Sequence, residues 1–217
     1  MIERWKAQAG LAVGRQLRHP SGASGRLVGT VMRFANRKPI QAVVGSLDLQ
    51  PTDRVLDIGC GDGSAIAMMS RANHVVGLDQ SDTMIAAAWR RNRAAVRCGR
   101  LSLRKGDMMA LPFGPKAFDK FAAINILYFC DDVPTLIAGI RRIARPDARL
   151  AVYVTAAESM HDWGFATTAT HRHFTRELLV QELERSSVPE SDRSVEEIAL
   201  PGGLTGLVAT ARINPRD

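Results

Sequence analysis

The chain has little of what holds small secreted proteins or membrane proteins together. Its 217 residues include three cysteines, Cys60, Cys98 and Cys130, with no C-x-x-C pair among them. That excludes a disulfide framework and fits a reducing cytoplasm, the compartment we expect. No apolar run approaches the ~20 residues of a membrane span, and the start lacks the apolar core of a signal peptide. Aromatics are scarce at 6%, leaving few platforms for stacked bases; with no RNA-binding module signature, this argues against a nucleic-acid partner despite a net charge of +7. Three clustered histidines, His161, His171 and His173, are unevenly spaced and have no thiolate partner, so no metal site is expected. What is present, 46% hydrophobic and 24% charged residues, suits one soluble domain with a single main core.

The most informative stretch is Asp57-Ile58-Gly59-Cys60-Gly61-Asp62-Gly63, directly behind the apolar pair Val55-Leu56. An apolar strand delivers the chain to a tight turn, glycines let the backbone approach a ligand, and the next helix points unpaired N–H groups at it. A dinucleotide loop needs Gly-x-Gly-x-x-Gly, but Ser64 stands where the third glycine should fall. Asp57, two positions before the first glycine, would face an amino group more comfortably than a pyrophosphate. Both points favour S-adenosylmethionine (SAM). A second carboxylate closes Val75-Val76-Gly77-Leu78-Asp79, where the tip of the next parallel strand can take both ribose hydroxyls, a feature shared by SAM and NAD sites.

From Leu47 onward these motifs resemble the class I SAM-dependent methyltransferases, in particular the small-molecule group that includes the ubiquinone and menaquinone biosynthesis enzymes. The resemblance implies a first cofactor motif over Val55 to Gly63, with Asp57, Gly59, Cys60, Gly61 and Gly63 at the cofactor. It implies a second over Val75 to Ser81, in which Asp79 holds the ribose and Gln80 and Met84 line the site. Lys105-Gly106-Asp107-Met108 is similar to the third motif, where Asp107 accepts from the adenine amino group and the Met108 N–H meets the ring. Phe118-Asp119 leading to Asn125-Ile126-Leu127-Tyr128 resembles the fourth strand and the residues below the transferred methyl, with Asn125 on the cofactor side or lining the pocket. The prolines that follow this Asn in adenine and glutamine N-methyltransferases are absent, which points away from those acceptors. The implied activity is methyl transfer from SAM to a small-molecule acceptor, leaving S-adenosylhomocysteine (SAH). Open alternatives are a lipid or prenyl-quinone methyltransferase in peripheral contact with a membrane, an RNA methyltransferase, and a non-catalytic nucleotide-binding protein. His161, His173 and Tyr128 are the candidates for a catalytic group, and Cys60 reads as a small residue tolerated in the loop.

Alternating strands and helices give the α/β class, specifically a Rossmann-like seven-stranded, mostly parallel sheet with an antiparallel C-terminal strand, helices on both faces and an N-terminal helical lid. Strands are expected at 54–57, 74–79, 101–104, 118–124 and 150–155, and helices at 64–70, 81–95 and 134–143. Thr175 caps a further amphipathic helix, and two strands flank Pro201-Gly202-Gly203. Residues 1–46 form the expected lid, with Ile2, Trp5, Ala9 and Val13 on one helical face and polar groups around Asn36 facing cofactor or substrate; residues 47–217 form the SAM-binding domain. Two local oddities stand out. Pro146-Asp147-Ala148 suits a turn without positive φ, and Lys120 interrupts a strand that should be buried. The arginine-rich region from Arg90 to Lys105 reads as a solvated outer face.

Overall fold

The computed structural model describes residues 36–160 and 171–215. Strands β1 (Arg54–Ile58), β2 (His74–Asp79) and β4 (Phe118–Ile124) derive from near-continuous apolar runs, and most of their residues are buried, as central parallel strands require. With β3 (Leu101–Lys105), β5 (Ala144–Thr155), β6 (Arg193–Ala199) and β7 (Thr205–Ile213) they form one seven-stranded sheet in the order β3-β2-β1-β4-β5-β7-β6. The β1–β2, β1–β4, β2–β3 and β4–β5 pairs are parallel. Strand β7 is the expected antiparallel strand, and it lies between β5 and β6, antiparallel to both.

Strand alternation sends Leu56 and Ile58 to one face and Val55 to the other, and each face has its own helices. On the first, α4 (Val133–Ile143) and α5 (Arg176–Arg185) bury Leu136, Ile137, Ile140, Leu179 and Leu183 against Phe118, Phe121 and Val154. Each such side chain contributes about 1.5–3 kcal/mol by leaving water. Against the second, α1 (Arg37–Ser46) packs Ile40 and Val43 on Val55, Ala122 and Tyr153. Helices α2 (Asp82–Arg91) and α3 (Arg93–Arg97) cover β2 and β3. Ser81 caps α2 by accepting from Met84 N–H at 3.4 Å, and Thr175 caps α5 by accepting from Leu178 N–H at 3.2 Å. Helix α1 falls within the segment expected to form a lid; the rest of that segment, residues 1–35, lies outside the described residues. No helix among the described residues is long and apolar enough to cross a membrane.

Four local expectations need correction. The helix expected over 64–70 is only a 3-10 turn, Ile66–Met68. Residues 59–73 connect β1 to the parallel strand β2; the glycine turn takes the first five, and burial of Ala65, Ile66 and Met69 pins the rest down. The helix over 81–95 breaks at Asn92, whose buried amide donates to Gly63 O at 3.0 Å and Ala88 O at 3.1 Å. Strand β5 starts at Ala144 rather than 150 and includes the Pro146-Asp147 turn. There Asp147 adopts φ +59°, a conformation Asp tolerates better than most residues, and its N–H donates to Asn214 Oδ1 at 2.9 Å. Lys120 is accommodated because its ammonium lies 3.9 Å from Asp53 Oδ2.

Candidate functional site

Strand order reverses between β1 and β4, so a crevice opens beyond their carboxyl ends, the place where open α/β sheets hold ligands. Its β1 side is the glycine loop. Gly59 has φ +69°, and a Cβ there would lie 2.2 Å from Ile126 Cγ2 on the β4 side, so only glycine lets the two walls meet. Gly63 has φ +74° and packs under Ala88 and Asn92. Internal bonds set the rest of the loop: Cys60 N–H donates to Leu78 O at 2.9 Å, Gly63 N–H to Cys60 O at 2.9 Å, and Arg91 pairs with Asp62 at 2.8 Å. Asn92 and Arg91 therefore brace the loop from α2. Sequence reasoning missed this role, although a polar Asn inside a helical run was its signal.

Three acids expected at a cofactor stand around the crevice, each in a different environment. Asp57 is 1% exposed, and its Oδ2 has no hydrogen-bond partner among the described residues. Burial, helped by the nearby Asp79 charge, pushes its carboxyl up to about 8 from the usual 3.8. Asp79 Oδ2 accepts from Gly61 N–H at 2.9 Å and Oδ1 from Ser81 N–H at 2.8 Å, which ties the tip of β2 to the loop. Asp107 is exposed beyond β3, with Oδ1 accepting from Met109 N–H at 2.9 Å; Met108 beside it is half-buried. Met84 is buried at the start of α2, and Gln80 is exposed at the end of β2. Burial and the surrounding carboxylates raise the Cys60 thiol well above its usual value, which leaves it a protonated packing group.

The β4 side is a polar clamp. Asn125 sits at φ +58°, and its N–H donates to Tyr153 O at 3.0 Å. Its Oδ1 accepts from the Tyr128 hydroxyl at 3.1 Å, while its Nδ2 donates to Asn36 Oδ1 at 2.9 Å. The Tyr128 oxygen in turn accepts from Thr155 N–H. Burial raises the Tyr128 hydroxyl far above its usual range, so it acts as a neutral donor and not as a base. The histidine brought to this cluster is His171, buried with its ring 5.7 Å from Tyr128 and 4.9 Å from Phe129. His173 is half-buried two residues further on, and His161 lies outside the described residues. No group of three or more His, Cys, Asp or Glu among the described residues is arranged to hold a metal.

A reversed strand order, a glycine turn and acids at successive strand tips define a nucleotide-cofactor α/β domain. Residues 56–152 match the family described as "Methyltransferase domain". The chain is 33% identical over 101 residues to O-methyltransferase rstn1 of Aspergillus nomiae, covering 46% of this chain and 45% of that protein. It is 30% identical over 107 residues to 2-phytyl-1,4-naphtoquinone methyltransferase of Synechococcus elongatus, covering 48% and 46%. The chain spans about half the length of the curated relatives it matches. Among solved structures, the [4+2]-cyclase SpnF aligns with TM-score 0.67 at 19% identity over 82% of each chain. That likeness shows the fold alone, and its name shows that the fold does not dictate the reaction. The matched segment is similar to class I SAM-dependent methyltransferase domains. The described residues fit that cofactor: a buried carboxylate oxygen lacking a donor suits a cationic ligand, and the glycine turn leaves room for close backbone approach.

Proposed function

We propose that the protein transfers a methyl group from SAM to a small-molecule acceptor and releases SAH. The observation that carries this reading is the unpartnered Asp57 carboxylate oxygen, buried at the end of β1 beside the glycine turn. In this reading Asp57 is kept protonated by burial until a positively charged group arrives, and then gives up its proton to become the counter-charge. Asp79 takes the ribose with lone pairs left over from its bonds to Gly61 and Ser81. Asp107 and the Met108 N–H receive the adenine, with Gln80 and Met84 beside them. When bound, SAM supplies a methyl already activated by its sulfonium.

The chain is left chiefly with the work of positioning. Holding an acceptor in line at near-contact distance is worth about 7–11 kcal/mol. Asn125, locked by Asn36 and Tyr128, is the rigid polar group on the acceptor side. Tyr128 orients it rather than taking a proton, and His171, which is not among the candidate catalytic groups, is the histidine set against it. The relatives named O-methyltransferase and naphthoquinone methyltransferase support a small organic acceptor. Calorimetry with SAM, SAH and NAD tests the cofactor: we expect micromolar binding of the first two and none of the third. SAH release across a panel of phenols, quinols and amines then tests the reaction. Binding of NAD in place of SAM would sink the proposal at its first step.

A further inference from the structure

Between Met84 and Lys105 the chain holds no acidic residue, while Arg90, Arg91, Arg93, Arg97, Arg100, Arg104 and Lys105 all fall there. The fold gathers this span on one flank. Helices α2 and α3 pack against β3, an edge strand that pairs with β2 alone. Asp62 holds Arg91, Asp82 holds Lys105, and Arg104 lies over the Phe113 ring with 5.3 Å to its centroid. Arg90, Arg93, Arg97 and Arg100 are exposed and make no ion pair among the described residues. In their midst Trp89 is 47% exposed near the end of α2, with Arg93 opening α3 just beyond the break at Asn92. A solvated basic face explains the arginines but not the uncovered indole. Together they call for a partner that is anionic and accepts an amphipathic ring.

We infer that this flank docks on an anionic lipid bilayer, with Trp89 at the headgroup level and the arginines against lipid phosphates. Indole rings favour that boundary, and cations near an anionic leaflet gain attraction that falls off within a Debye length. Single-stranded nucleic acid is held by several aromatic platforms along a groove, whereas this flank offers one ring on the outer edge of a sheet, which favours lipid. The flank ends at Lys105, directly before Gly106, whose N–H is tied to Asp79 O at 3.0 Å. The arginines set against phosphate, Arg90, Arg93, Arg97 and Arg100, themselves end at the amino end of β3, where the Arg100 carbonyl accepts from Val75 N–H at 3.0 Å. The inference goes beyond methyl transfer and does not depend on it.

Co-sedimentation of the full chain with vesicles tests it, using phosphatidylcholine with and without phosphatidylglycerol. We expect binding to the anionic vesicles only, weakened by at least ~10-fold in the Arg93→Glu/Arg97→Glu double variant and severalfold in Trp89→Ala. Thermal midpoint and SAH affinity serve as controls and should not change. Absence of vesicle binding, equal binding by the variants, or tighter retention of single-stranded RNA than of vesicles would each overturn the proposal. SAH binding reads the cofactor site separately, so failure at the membrane and failure of the methyltransferase reading are distinguishable.

Discussion

Asp53 and Asp57 stand at opposite ends of β1, both buried, and they do opposite things. Asp53 Oδ2 accepts from Gln50 N–H at 2.8 Å and faces the Lys120 ammonium at 3.9 Å. Beside it Asp119 accepts from Arg54 N–H at 2.8 Å and pairs with Arg145 at 3.0 Å. At the other end Asp57 has an oxygen with no donor among the described residues and a neighbouring acid in place of a base. A buried acid with partners secures a strand; one without them stores unfavourable energy that a cationic ligand relieves. The amino end of the sheet is thus built to hold, and the carboxyl end to bind.

The sharpest way to break this contrast is Asp57→Asn. The folded carboxyl holds its proton up to about pH 8, while the unfolded chain loses it near 3.8. The contribution of Asp57 to stability is therefore full below about pH 4 and falls away as pH rises toward 8. The neutral amide removes that dependence and should stabilise the ligand-free protein by on the order of 3 kcal/mol at pH 7. The same change should weaken SAM binding roughly 10- to 100-fold, the worth of a charge-assisted contact. Denaturant melts across pH 4 to 8, with and without SAM, read both effects, and a destabilised variant would contradict the assignment. Next in size, Asp79→Ala should cost roughly 1.5–3 kcal/mol of SAM affinity by calorimetry. Unchanged affinity would move the ribose elsewhere.

Asp53→Asn supplies the opposite arm. It should lower stability by about 1–2 kcal/mol while leaving SAM affinity within roughly twofold. A large loss of affinity would erase the distinction between the two ends. The smallest effect is expected for Tyr128→Phe, which removes the hydroxyl between Thr155 N–H and Asn125 Oδ1. About 1 kcal/mol of stability should go. SAH binding should hold, and methyl transfer should fall because Asn125 is no longer oriented.

Local chemistry made much of this legible. The apolar runs that became β1, β2 and β4, the Thr175 cap and the Gly-x-Gly-x-Gly turn each carry their signal within a few residues. What escaped depends on distant partners. No local pattern tells that Asn36 will meet Asn125 across 89 positions, or that His171 will be the histidine set against Tyr128. The helix expected over 64–70 had acceptable propensity and gave way to a 3-10 turn that buries Ala65, Ile66 and Met69. Asp147 took the left-handed conformation because the Pro146 turn demanded it and Asn214 satisfied its N–H.

The placement of β7 governs the order in which the sheet can be completed. Strand β6 is made before β7 yet pairs with nothing else in the sheet, and β5 keeps an open edge until β7 fills it. During synthesis β6 must wait as an unpaired ribbon until Thr205 to Ile213 emerge, and one insertion then closes two ladders at once. The domain assembles its final edge after translation has passed Ile213, and until then both the open side of β5 and the waiting β6 can pair with a neighbour.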